Sequence, residues 1–245
     1  MGIALFCLGF PNQAVAHSNE GIAEAQTLAH APSLAASLAQ DCRLLSLGGD
    51  KAALDQRACE LIALASEQGF PSYRALGSIY RGWAKVNTGD VAEGISLLRY
   101  GSSAYSATGA ESRIAFHIGL LARACEIADQ VDEALMLSDK ALEISERIGE
   151  RWFAAELYRH KGRLLLRQGH SATEEFYHQA LTIAKEQEAK LWELRAALSL
   201  ARLRRDQGRR AEARDLLAPV YGWFTEGFET ADLKEAKSLL EALNP

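Results

Sequence analysis

The hydrophobic and polar positions of this chain follow a helical period interrupted by turns at regular intervals, and the turns fall into two interleaved series. Gly69, Gly109 and Gly149 stand forty residues apart, with Ala189 at the next step. Between them run Gly9, Gly49, Gly89, Asp129, Gly169 and Gly208, forty apart until a last step of thirty-nine. Two turn series at one period predict two helices per repeat. Glycine suits the left-handed residue that closes a helix, and Pro32 and Pro71 suit the first turn of the next one. First helices are predicted near Pro32 to Leu47, Ser72 to Thr88, Ala110 to Ala128, Arg151 to Gln168 and Lys190 to Gln207. Second helices are predicted near Asn12 to Ala29, Lys51 to Gln68, Val91 to Thr108, Val131 to Ile148, Ser171 to Glu188 and Arg210 to Tyr221.

Columns of small residues keep the same register. Gly2, Cys42, Gly82, Ala122, Gly162 and Ala201 form one, and Ala35, Ala75, Ala115 and Ala155 another. Small side chains at fixed steps let paired helices approach closely. In the second helices, Ala14, Leu54, Gly94, Ala134, Thr173 and Ala213 open an i, i+4, i+7 face, the pattern of a buried helical stripe. After Tyr221 an aromatic turn leads to a stripe of Leu233, Ala236, Leu239, Leu240 and Leu243, opposite a polar face that includes Asp232 and Glu235. That last helix is expected to cap the array.

The organisation expected is one all-α array over residues 1–245: a partial first repeat at 1–30, repeats at 31–69, 70–109, 110–149, 150–189 and 190–221, and an aromatic turn with a capping helix at 222–245. Met1 to Leu8 covers only the last two turns of a first helix, so the chain is expected to begin inside a repeat, either as a piece of a longer protein or after loss of an N-terminal portion. Leu5, Phe6 and Leu8 would then be exposed and available to a second chain. The apolar run Ile3 to Phe10 followed by Ala14-Val15-Ala16 imitates a cleaved leader, but no Lys or Arg precedes Arg43.

Composition agrees with helices: 48% of residues are hydrophobic, 8% aromatic and 24% charged. The net charge of -5 argues against a general nucleic-acid binder, and no apolar run reaches the roughly 18 residues of a membrane span. A cytoplasmic location is expected. Cys7, Cys42, Cys59 and Cys125 lack C-x-x-C spacing and are expected to be buried apolar residues. No phosphate-binding G-x-x-x-x-G-K-[ST] loop, no H-E-x-x-H and no G-x-S-x-G elbow occurs, so no cofactor or metal is called for and the chain reads as non-catalytic.

The layout resembles the tetratricopeptide repeat (TPR), a helix-turn-helix unit with a small residue in its first helix and an Ala-x-x-x-aromatic pair in its second. Tyr177 occupies one aromatic position, whereas Ser18, Ala58 and Ser138 occupy others, and the period of forty exceeds the usual length of about thirty-four. The resemblance implies a right-handed α-α superhelix of about five helical hairpins. Longer strings, Glu67-Gln68-Gly69-Phe70-Pro71, Arg81-Gly82-Trp83-Ala84, Gly149-Glu150-Arg151-Trp152 and Leu217 through Phe228, resemble the C-terminal repeat arm of bacterial signalling proteins that join an adenylate/guanylate cyclase to a regulatory ATPase. That likeness implies an interaction or sensing arm.

In TPR arrays the position after the small first-helix residue tends to face the concave groove, which by resemblance places Arg43, Trp83, Arg123, Arg163 and Arg202 there, with Arg159 and Arg167 flanking Arg163. Charge by segment points the same way. Residues 1–150 hold 11 basic and 18 acidic groups, net -7, while residues 151–215 hold 14 and 9, net +5. The expected partner is an acidic peptide or protein surface held by arginine forks. The competing reading pairs these arginines with Glu126, Glu156 and Glu193. A small-molecule sensor, favoured by a closed apolar pocket with a few polar groups, and a self-assembly module are the alternative functions.

Overall fold

The computed structural model describes residues 1–243; the last two positions of the expected capping segment lie outside the described residues. Among the described residues there is no strand. Thirteen helices follow one another among the described residues: α1 Gly2–Cys7, α2 Pro11–Thr27, α3 Ala31–Gly48, α4 Lys51–Glu67, α5 Pro71–Thr88, α6 Val91–Ala107, α7 Ile114–Ile127, α8 Val131–Ile148, α9 Ala154–Arg167, α10 Thr173–Glu186, α11 Lys190–Asp206, α12 Arg210–Tyr221 and α13 Ala231–Leu243. The chain separates into two compact units, one of Met1–Ile3 with Gln13–Ile144 and one of Ala4–Asn12 with Ser145–Pro245.

The turns fall where the forty-residue period puts them. Gly9, Gly49, Gly89, Asp129, Gly169 and Gly208 all take positive φ, as do Gly69, Gly109 and Gly149. The next member of the second series is Glu188 at φ 53, not Ala189, because one residue has been dropped between Gly162 and Thr173. Two first helices also start later than predicted. Arg113 adopts φ 65 ahead of α7, and a turn at Trp152 and Phe153 precedes α9, so each loses three or four residues at its start.

In the first unit, small residues set the helix spacing. A Cβ built on Gly82 of α5 would lie 2.8 Å from the Gly94 carbonyl oxygen of α6, and one on Gly94 would lie 2.6 Å from the Gly82 carbonyl oxygen. Gly101 of α6 similarly abuts the backbone of Ala75 and Ile79. Leu54, Leu61, Ile79, Leu98 and Leu120 fill the space between the helices and are almost wholly buried. Asp50 begins α4 by accepting a hydrogen bond from the Ala53 amide at 3.1 Å, which satisfies one of the donors that a helix start leaves open.

In the second unit, Trp192 is fully buried and its indole N–H donates to the Trp152 carbonyl at 3.0 Å. Phe153 stands edge-on to it at 5.7 Å and Phe6 at 6.4 Å. Phe6, predicted to be exposed, is thus covered, while Leu8 stays accessible. Phe10 meets Trp223 at 5.5 Å, and the Asn12 amide donates to Glu226 at 2.9 Å. The aromatic turn therefore holds residues 4–12 as well as starting the cap. Along α13, Leu233, Ala236, Leu239 and Leu243 are buried as the apolar stripe predicts. Cys42 and Cys125 are buried, and burial raises both thiol pKa values, that of Cys125 to about 11. Cys59 departs from the expectation, pointing to solvent from α4.

Candidate functional site

The first unit holds Arg43, Trp83 and Arg123, and it uses two of them internally. Trp83 is only 4% exposed; its indole N–H reaches the Ser46 carbonyl at 3.3 Å. Arg43 is 6% exposed, with its Nε donating to the Tyr80 hydroxyl at 3.4 Å. Neither offers a partner much surface. Arg123 is half-buried and lays its guanidinium over the Trp83 ring at 4.7 Å, a cation–π stack that fixes the side chain.

The second unit holds Arg159, Arg163 and Arg202, and its charges sort into a buried network and an outer strip. Arg159 is clamped by Glu156, its Nε and Nη2 donating to the two carboxylate oxygens at 2.6 and 2.9 Å. Glu156 also accepts from Arg195 at 3.3 Å, and Arg195 makes a two-pronged contact with Asp232 of α13, both bonds at 2.8 Å. Burial works against the charge of Arg195, but Asp232 and Glu156 outweigh it and hold its pKa above the ordinary value. Arg159 behaves likewise, with burial overcome by Glu156. The pairing with Glu156 that competed with the groove reading therefore holds for Arg159. Glu193 takes Lys190 instead, at 2.8 Å. Asp232 was assigned to the polar outer face of the cap; it faces inward because α13 must satisfy Arg195.

Arg202 stands apart. It contacts Glu235, and its pKa is nevertheless lowered, first by burial and then by the guanidiniums of Arg159 and Arg205, with a further push from Arg163. Several arginines of α9 and α11 thus raise the local potential together. Sequence reasoning did not single out Arg195 or Arg205. Arg204 and Arg205 lie in the basic last turn of α11, and the inward turn of Asp232 depends on contacts thirty-seven residues apart.

Among the described residues, no three His, Cys, Asp or Glu side chains come together as a metal-binding group. His178 lies 3.6 Å from Glu174, which Arg204 and Arg209 also contact. No described helix is long and apolar enough to cross a membrane.

No protein-family model matches the chain, and no curated protein matches it. Solved structures do. The TPR-like repeats of a kinesin light chain-like protein of Podosopora anserina share 20% identity at a TM-score of 0.53, covering 76% of this chain and 92% of that one. BtubC (BKLC) of P. vanneervenii shares 15% identity at 0.62, covering 96% and 94%. The apo form of RapI shares 10% identity at 0.62, covering 99% and 80%. The fold is that of all-α, TPR-like helical-repeat proteins.

Proposed function

We propose that this chain is a non-catalytic protein-interaction module, a single TPR-like array serving a cytoplasmic bacterial signalling protein of the cyclase–ATPase kind. Its partner is an acidic peptide or protein surface bound on the arginine strip of the second unit, centred on Arg163 and Arg202. The observation that carries the reading is the gathering of Arg159, Arg163, Arg202 and Arg205 on α9 and α11, where burial first and the neighbouring guanidiniums second weigh on the Arg202 charge beside Glu235. A carboxylate partner relieves that repulsion. Arg159 is committed to Glu156 and acts as the fixed floor of the strip. Arginine forks suit the task because they grip carboxylates with two parallel bonds.

The test is fluorescence anisotropy with a labelled octaglutamate peptide at low and moderate salt. The native chain should bind, with affinity falling as salt rises. An Arg163→Glu, Arg202→Glu variant should lose at least about 10-fold, whereas Lys51→Glu, Arg74→Glu, which changes the net charge equally, should lose little. Equal losses in the two variants, or no binding by the native chain, would remove the strip as the site.

A further inference from the structure

Three helices of the first unit, α6, α7 and α8, line a cavity of about 390 Å³. Its wall is mostly apolar, with Ile114, Ile118, Leu121, Leu137 and Ile144 from α7 and α8. Set into that wall are two polar groups that the protein leaves unsatisfied. Among the described residues the Ser102 hydroxyl has no hydrogen-bond partner, and neither ring nitrogen of His117 has one, although the histidine is only 1% exposed. Around the imidazole stand Tyr105 at 5.2 Å, Phe116 at 5.7 Å and Tyr80 at 6.3 Å, all as ring contacts.

Buried polar atoms without partners are rare in folded proteins, since each forfeits the hydrogen bonds it made to water. Here they share one cavity. Burial, reinforced by Arg43 and Arg113, lowers the His117 pKa to about 3, so the ring is neutral and offers one N–H donor and one bare nitrogen acceptor. Ser102 adds a second donor and acceptor. Two cations also line the cavity. Arg99 is bound to Glu133 at 2.6 Å, whereas the exposed Lys140 makes no ion pair among the described residues.

We infer that this cavity binds a small carboxylate with an apolar body and a hydroxyl at its far end, the hydroxyl meeting His117 and Ser102 and the carboxylate meeting Lys140. A hydroxyl both donates and accepts, which matches the neutral imidazole and the serine together; a second carboxylate at the deep end would find too few donors. The volume lies in the range of small-molecule sites. This site involves none of the arginines of the second unit, so it stands or falls independently of the acidic-peptide reading.

The test is calorimetric titration of the full chain with three probes: 3-(4-hydroxyphenyl)propionate, 3-phenylpropionate, which lacks the hydroxyl, and 4-ethylphenol, which lacks the carboxylate. The first should bind at least about 10-fold more tightly than either of the others, because the hydroxyl satisfies groups otherwise left bare. His117→Phe and Ser102→Ala should each collapse the preference over 3-phenylpropionate, and Lys140→Gln should collapse the preference over 4-ethylphenol. Ser102→Ala removes a single oxygen and keeps the test valid where the ring exchange disturbs folding. In the unliganded chain His117→Phe should raise the melting temperature, a sign that the histidine is kept at a cost to stability. No binding at millimolar probe, or equal affinity for all three, overturns the proposal.

Discussion

Gly94→Ala separates local helix preference from interhelical packing, because the two give opposite signs. Gly94 lies inside α6, where replacing glycine by alanine ordinarily gains about 1 kcal/mol of helix propensity. The added methyl carbon would stand 2.5 Å from Val86 Cγ2, 2.6 Å from the Gly82 carbonyl oxygen and 2.7 Å from the Val86 amide nitrogen. Ordinary contact begins near 3.4 Å. Two of the three obstacles are backbone, so α6 would have to retreat from α5 by most of an ångström. Overpacking of that kind costs typically about 1–3 kcal/mol, so the propensity gain is cancelled and the net expectation is a loss of up to about 2 kcal/mol. Gly21 in α2 supplies the control, since a carbon there would meet only Ser37 Oγ at 3.9 Å. Gly21→Ala should gain up to about 1 kcal/mol. Urea unfolding followed by circular dichroism resolves both changes as shifts in midpoint at constant slope. A Gly94→Ala chain stabilised as Gly21→Ala is would refute the claim that the small-residue column sets the α5–α6 distance.

Two further outcomes follow from buried charge. His117 has an ordinary value near 6.5 when unfolded and about 3 when folded, so the unfolded chain alone takes up the proton between those limits. The stability it permits is complete above about pH 6.5 and declines toward pH 3, by about 2 kcal/mol at pH 5; urea midpoints at pH 7 and pH 5 should show this slope reduced in His117→Phe. Asp232→Ala takes the two-pronged carboxylate from Arg195 in a largely buried setting, where removing one partner costs about 3–5 kcal/mol. Arg195→Met with Asp232→Leu should cost less than Asp232→Ala in thermal unfolding, and an equal or greater cost would contradict a desolvation origin.

Much of the fold was legible because turns and close approaches are written locally. A residue at positive φ must be glycine or tolerate the strain, so the two turn series stood out, including Asp129 in place of glycine. The dropped residue before Thr173 also showed as a step of thirty-nine, although its effect on the other series, placing Glu188 rather than Ala189 in the turn, did not. The starts of α7 and α9 were misjudged because Arg113 and the Trp152-Phe153 turn carry no breaker residue. Of the arginine column, Arg43 and Trp83 share their sequence positions with Arg163 and Arg202 yet are buried. Position in a repeat sets a direction, while exposure depends on what the neighbouring repeat supplies, here Tyr80 to Arg43 and Ser46 to Trp83. His117 gave no signal at all: a histidine on an apolar helix face looks the same in sequence whether its nitrogens are satisfied or bare.

Because the second unit is assembled from two stretches of chain, it cannot be completed in the order in which it is made. Asn12 and Glu226 are separated by 214 positions. At ribosomal speeds of about 5–20 residues per second, that interval lasts on the order of ten to forty seconds. For most of it Phe6 and Phe10 have been made while Trp192 and Trp223 have not, leaving an apolar stretch open to chaperones or to neighbouring nascent chains. Refolding from denaturant imposes no such wait. The two routes to the same native contacts should therefore differ most in how residues 4–12 are protected before the aromatic turn arrives.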